Sequence, residues 1–193
     1  MDKLFNYSKI VSCIALLTTP LYVASFCVRN PILAHIVFGF TIALYVSISL
    51  WFGIIAIKSV KGSSLKLPSI LGIAFSAVII FAIVISNTVQ YNEMNLTFFL
   101  RAMQIRSYLT VIGSVGLGVV FLRLSKFFNK KLINTLAKAL GILLLLYSIG
   151  FTTMILFNIP SKIVVISKMI YIINIFIYAL YSVFFFFFSK YNK

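Results

Sequence analysis

The sequence predicts an all-α integral membrane protein, a bundle of six transmembrane helices with both termini in the cytoplasm. Three observations predict this fold class. Apolar residues make up 62% of the 193 positions and charged residues only 10%, whereas soluble domains have about half and about a quarter. The apolar residues form six runs, each near the roughly 20 residues that a helix needs to cross a bilayer. Lysine and arginine concentrate between alternate runs, as they do on the cytoplasmic side of membrane proteins.

Helix-breaking and helix-capping residues separate the six runs. Asn30-Pro31 precedes the second run, and Ser63-Ser64 with Pro68 opens the third, since a capping side chain followed by proline is typical of a helix start. The segment 158–161, which contains a proline, divides the last two runs. Within a single integral domain of residues 1–193, the predicted spans cover residues 10–28, 32–57, 67–90, 105–124, 132–158 and 162–188.

The formal net charge of +15 predicts orientation and lipid contact rather than nucleic-acid binding. The cations stand at the ends of apolar runs, where they determine topology and attract anionic lipid headgroups. The largest group lies around the connection between the fourth and fifth runs: Arg123, Lys126, Lys130, Lys131 and Lys138. The N-terminus, the connection between runs two and three and the C-terminal tail are also lysine-rich. These positions predict cytoplasmic termini. The surplus of Lys, Ile, Asn, Phe and Tyr resembles the amino-acid usage of an AT-rich bacterial genome, so we expect the membrane to be a bacterial cytoplasmic membrane.

Residues 93–104 interrupt the hydrophobic pattern with charges of both signs. Glu93, Arg101 and Gln104 share one side of a helix, and leucines and phenylalanines occupy the others, which predicts an amphipathic outer segment leading into span four. One interpretation places this segment among the headgroups, with Arg101 and Arg106 on lipid phosphates. The other turns the polar side inward, where Arg101 and Gln104 bind an anion at the mouth of a cavity.

Small and polar residues at helical spacing predict the inward faces, because membrane helices associate through such residues. Asn174 needs a hydrogen-bond partner, since an unsatisfied amide in hydrocarbon costs several kcal/mol; an interhelical bond is expected. The predicted stripes are His35, Gly39, Ala43 and Ser47 in span two; Gly72, Ser76, Asn87 and Gln90 in span three; Ser107, Thr110, Ser114 and Gly118 in span four; Asn134, Gly141, Ser148 and Thr152 in span five; and Tyr171, Asn174, Tyr178 and Tyr181 in span six.

Large side chains and cysteines give three further expectations. The phenylalanine run 184–188 is expected to face lipid, and Trp51 to lie at the membrane interface. Cys13 and Cys27 are expected to be buried small hydrophobes. A helix places them ~21 Å apart, so they cannot form an intrachain disulfide.

The sequence lacks the groups that catalysis ordinarily uses. Acid–base chemistry needs a carboxylate pair or an oriented histidine, yet the only carboxylates are Asp2 and Glu93 and the only histidine is His35. A pairing of Cys27 with His35 across the first connection would have no orienting third group. Metal centres need several clustered ligands. We therefore predict a non-enzymatic protein with no cofactor and no metal site.

Two functions remain open from the sequence. The first is a permease-like or small-molecule-binding membrane component that takes a small anionic ligand into a polar cavity between spans three, four and six. The alternative is a membrane-resident interaction protein, such as an immunity factor or an accessory subunit of a larger complex. It would have a dry centre and present a small or polar face to another membrane protein. The predicted ligand-binding residues are Asn87, Gln90, Arg101, Gln104, Asn174 and Tyr178.

Overall fold

The computed structural model describes residues 2–28, 30–59, 64–88, 96–156 and 160–191, and these residues form six α-helices. The prediction of an all-helical fold with six membrane-length helices is confirmed. The helices are α1 (Asp2–Cys27), α2 (Pro31–Lys58), α3 (Lys66–Thr88), α4 (Leu96–Ser125), α5 (Lys131–Leu156) and α6 (Pro160–Tyr191).

Each helix contains a stretch long and apolar enough to cross a bilayer. The shortest of these stretches has 23 residues, which at about 1.5 Å per residue is ~35 Å, more than the ~30 Å hydrocarbon core. Large apolar side chains are exposed on all six helices, among them Leu16, Ile32 and Phe98. Soluble monomers rarely expose so much apolar surface, so the fold is compatible with a multi-pass membrane protein.

The six helices form a closed ring in chain order. Each helix backbone packs against those of its neighbours in sequence, and α6 returns to pack against α1. The closing pair is antiparallel: Phe5 faces Phe188 with ring centroids 6.2 Å apart, and the Ser12 hydroxyl donates to the Ser182 carbonyl at 2.8 Å. The start of α1 and the end of α6 therefore lie together. We call this the termini end, and the other the opposite end.

Helix boundaries follow backbone signals more closely than hydropathy. Asn30 caps α2 as predicted, its side-chain oxygen accepting from the Ile32 amide at 2.9 Å, with proline next in sequence. By contrast, α1 begins at Asp2, well before the apolar run, since neither glycine nor proline interrupts residues 2–10. Similarly, α4 runs unbroken from Leu96, so the described part of the amphipathic segment belongs to the same helix as span four; residues 93–95 lie outside the described residues.

Large aromatic side chains fill the centre of the ring in its termini half. We call Trp51, Phe52, Phe121, Phe184 and Phe185 the aromatic plug; all five are fully buried. The prediction that the 184–188 run faces lipid is therefore wrong for Phe184, Phe185 and Phe188, which are buried, whereas Phe186 is 52% exposed. The prediction that Trp51 is interfacial is wrong. A ring of six helices leaves a wide space along its axis. Large aromatic side chains fill this space, where small side chains would leave voids.

Glycines allow close contact where α4 crosses α5. A Cβ atom added to Gly118 would lie 2.9 Å from the Gly141 carbonyl oxygen, and one added to Gly141 would lie 2.8 Å from the Gly118 carbonyl oxygen. The two backbones therefore touch, as small-residue packing between membrane helices requires. The predicted inward stripes of spans four and five are confirmed at these positions.

Two predictions of buried residues are wrong. On α2, His35, Gly39 and Ala43 of the predicted stripe are exposed on the outer surface of the ring, whereas its fourth member, Ser47, is buried. The inward face of this helix instead carries the larger side chains that fill the axial space. Cys13 and Cys27 are free, as predicted, but exposed along α1 rather than buried.

A polar cavity as the candidate functional site

The centre of the ring is open in the half away from the plug. A cavity of about 290 Å³ lies there, and all six helices contribute to its wall. The lining begins at Ala34 and Asn87, which are exposed at the opposite end, and continues to Tyr45 and Tyr178, which are buried. The cavity therefore opens at the opposite end and extends towards the aromatic plug.

The α1–α6 seam forms one wall of the cavity through a hydrogen-bonded group. The Asn174 side-chain nitrogen donates to the Tyr22 hydroxyl at 2.8 Å and to the Tyr178 hydroxyl at 3.3 Å. The Tyr22 and Tyr178 rings meet edge to face with centroids 5.2 Å apart. Tyr171 stacks on Tyr22 at 4.5 Å and donates a hydrogen bond to its backbone carbonyl. The interhelical hydrogen bond expected for Asn174 is thus present.

Tyrosines from several helices line the cavity. We call Tyr22, Tyr45, Tyr147 and Tyr178 the tyrosine cluster; they come from α1, α2, α5 and α6 respectively. A tyrosine offers an apolar ring face together with a hydroxyl that both donates and accepts. The cluster therefore gives the cavity large apolar faces without removing its hydrogen-bonding capacity.

Arg106 is the one cation among the described residues that line the cavity. Its side chain is half-buried. Within the described residues, its hydrogen-bond contact is between Nη1 and the Met103 sulfur at 3.9 Å, and a thioether is a weak acceptor. The side chains of Asp2 and Glu93, the only carboxylates in the sequence, lie outside the described set. Among the described residues, no carboxylate faces Arg106.

The structure brings together three of the six residues predicted to bind a ligand. Asn87, Asn174 and Tyr178 line the cavity. Arg101 and Gln104 are exposed and do not line it, and Gln90 lies outside the described residues. The cavity lies among all six helices rather than only the third, fourth and sixth. A role for any of these residues in ligand binding stays a prediction.

Sequence reasoning missed Arg106 as a cavity residue, although a signal was available. Arg106, Thr110 and Ser114 follow one another at four-residue spacing and all line the cavity, as residues on one side of a helix do. Thr110 and Ser114 were already on the predicted inward stripe of span four. Tyr22 and Tyr147, by contrast, belong to no polar stripe, and the sequence contains no pattern that would have marked them.

The cavity wall carries hydroxyls, amides, aromatic rings and a guanidinium, which together can bind both polar and apolar parts of a small molecule. No Asp, Glu, His or Cys is among its described lining residues. Over the described segments as a whole, no three His, Cys, Asp or Glu side chains cluster as a metal site requires. No protein-family model, curated protein or solved structure was found to match the chain.

Proposed function

We propose that the chain is a multi-pass protein of the cell membrane that binds a small molecule in this cavity, as a permease-like or solute-binding component. The observation that carries the proposal is a polar cavity at the centre of a ring whose exterior is apolar. Small-molecule sites are concave, with apolar and aromatic walls and a few convergent polar groups, and occupy about 300 to 1,000 Å³. The cavity has this chemistry and is close to the lower limit of that range.

Charge supports an orientation with the cavity open to the outside. The turn between α4 and α5 lies at the termini end and exposes Lys126, Lys130 and Lys131. Cytoplasmic loops of membrane proteins are enriched in such residues, so the termini end faces the cytoplasm in this proposal. The opposite end, and with it the cavity mouth, then faces the exterior.

The wall chemistry supports binding rather than catalysis. General acid–base and nucleophilic catalysis ordinarily use His, Cys, Asp or Glu groups within hydrogen-bond reach of one another. The described lining offers none of these side chains. Its tyrosines, amides and arginine are groups that orient a bound molecule.

The aromatic plug supports an outward-open binding state. Trp51 is fully buried, with its ring centroid 5.1 Å from that of Phe185 and 5.2 Å from that of Phe188. This packing closes the ring between the cavity and the termini end. A permease cycle would therefore require the plug to repack, whereas a binding component would keep it closed and transfer its solute to a partner.

Cysteine labelling tests whether the cavity is open to water. Ser114 and Ser148 are similarly buried, 2% and 3% exposed. The contact of Gly118 with Gly141 places them on adjacent helices, with Ser148 about 4.5 Å nearer the opposite end at about 1.5 Å per residue. Ser114 lines the cavity and Ser148 does not. They are therefore a matched pair for substitution by cysteine.

The experiment uses full-length protein in intact cells, with Cys13 and Cys27 replaced by alanine. A membrane-impermeant methanethiosulfonate reagent is added from outside. We expect Ser114→Cys to react and Ser148→Cys to remain unmodified. Failure of Ser114→Cys to react, or equal reaction of both variants, would overturn the proposed function.

A membrane-resident interaction protein is the second candidate, and one feature of α2 favours it. His35, Gly39 and Ala43 are exposed in line, and a Cβ on Gly39 would have nothing within 4 Å. Small residues in line allow another membrane helix to approach closely. This candidate predicts a native-gel complex that Gly39→Leu dissociates. The same monomeric band for parent and variant would exclude it.

A further inference from the structure

We propose that the cavity takes a small organic monoanion whose negative group pairs with Arg106 and whose ring packs against the tyrosine cluster. This inference rests on the proposed function and adds the chemical class of the ligand. Three observations carry it: the charge of Arg106, the absence of a second cation on the described wall, and the aromatic character of the inner cavity.

The guanidinium of Arg106 lacks an anionic partner within the described residues. Arginine stays protonated in proteins and has five N–H donors, and burying such a charge is costly unless it is paired. The Met103 sulfur at 3.9 Å is a weak acceptor for one of these donors. A carboxylate would accept two parallel, charge-assisted hydrogen bonds from the guanidinium. An anionic ligand group therefore supplies what this position lacks.

The number of cations on the wall determines the charge of the ligand. Arg106 is alone among the described lining residues in carrying a positive charge. A second negative charge would be removed from water without a partner, and that is unfavourable. A single carboxylate or comparable group is thus the best match.

The aromatic residues of the cavity wall indicate the chemical character of the uncharged part of the ligand. Arg106 lies about 12 Å along α4 from Ser114, as eight residues at about 1.5 Å each require. The wall also presents the tyrosine cluster and Phe38, and of these Tyr45 and Tyr178 are buried. Aromatic faces of this kind pack well against planar rings. A ring bearing one carboxylate can contact Arg106 and the cluster together.

Paired labelling reagents test the role of the charge. Anionic and cationic methanethiosulfonates of similar size are applied to Ser114→Cys in the background without native cysteines. We expect the anionic reagent to react faster, and Arg106→Gln to reduce this preference roughly tenfold or more, as the loss of a unit charge about 12 Å away in a partly desolvated cavity would. Arg101→Gln, on the exposed side of the same helix, is the matched control and should leave the preference unchanged. Arg106→Lys keeps the positive charge and should retain most of the preference for the anionic reagent.

Protection from labelling tests the ligand class. Benzoate, benzamide and benzylamine have nearly the same shape and differ in charge. We expect benzoate to slow modification of Ser114→Cys at concentrations roughly tenfold to a hundredfold below those that benzamide needs. Benzylamine should be weaker still. The advantage of benzoate should disappear in Arg106→Gln and persist in Arg101→Gln.

The outcomes separate this inference from the proposed function. If Ser114→Cys reacts but benzoate and benzamide protect equally, the assignment of a monoanionic ligand is wrong, whereas the proposed solute-binding function is unaffected. If Ser114→Cys does not react, the proposed function itself fails. Protection that follows the phosphatidylglycerol content of reconstituted vesicles, with no effect of benzoate, would assign Arg106 to a lipid headgroup and overturn the inference.

Discussion

Replacing Tyr22 by phenylalanine removes the hydroxyl that accepts a hydrogen bond from Asn174 across the α1–α6 seam. The ring remains, so the stacking with Tyr171 and the edge contact with Tyr178 are preserved. The variant therefore isolates one polar contact at the point where the helix ring closes. Tyr178→Phe is its matched control, because it removes the second acceptor of the same Asn174 amide.

The two distances determine the expected ranking. The bond to Tyr22 is 2.8 Å long and the bond to Tyr178 is 3.3 Å, just beyond the usual range for N–H···O bonds. Interhelical hydrogen bonds in membrane proteins contribute on average about 0.6 kcal/mol and at most about 1.7 kcal/mol. We expect Tyr22→Phe to lower the free energy of unfolding by about 1 kcal/mol, within that range. Tyr178→Phe should lower it by a few tenths of a kcal/mol.

A double-mutant cycle with Asn174→Ala measures the contact itself. Reversible unfolding in mixed detergent micelles can be followed by the fluorescence of Trp51, the single tryptophan in the chain. The coupling energy between Tyr22→Phe and Asn174→Ala should be about 0.6 to 1.5 kcal/mol. Zero coupling, or a larger cost for Tyr178→Phe than for Tyr22→Phe, would refute this account of the seam.

Four further substitutions can be measured with the same unfolding assay. Ser8→Ala should cost about 1 to 3 kcal/mol, because it removes the acceptor 3.0 Å from the buried Trp51 indole nitrogen; no loss of stability would contradict that contact. Gly118→Ala should cost about 1 to 3 kcal/mol, since its Cβ would meet a carbonyl oxygen at 2.9 Å. Gly39→Ala, with open space around the new atom, should be neutral or stabilising by up to about 1 kcal/mol; the reverse order would show that the α4–α5 crossing is wrongly described. Tyr181→Phe should stabilise the protein by about 1 kcal/mol or more, because among the described residues the buried Tyr181 hydroxyl has no hydrogen-bond partner, and a loss of stability would show that this hydroxyl is bonded.

The helices could be predicted from the sequence because bilayer thickness determines how long an apolar run must be. The interhelical bond of Asn174 was predictable for a related reason, since hydrocarbon offers an amide no other partner. The aromatic plug was not predictable. A phenylalanine that faces lipid and one that fills the centre of a helix ring are both surrounded by apolar groups, so the 184–188 run looks the same in either position.

The candidate site could be predicted in part. Asn87, Asn174 and Tyr178 stand out because polar side chains are rare within spans. Arg101 and Arg106 could not be separated while residues 93–104 were treated as a helix distinct from span four. Because α4 is continuous in the structure, Arg106 lies on the inward side in line with Thr110 and Ser114, and Arg101 faces outward.

Sided labelling in intact cells tests the central claim most directly, namely that six helices cross a membrane with the lysine-rich termini end in the cytoplasm and the cavity open outside. Asn129, between α4 and α5, and Thr88, at the end of α3, are exposed at the termini end and the opposite end respectively. In the background without native cysteines, an impermeant maleimide should label Thr88→Cys in intact cells and Asn129→Cys only after permeabilisation. Labelling of Asn129→Cys in intact cells would contradict the account.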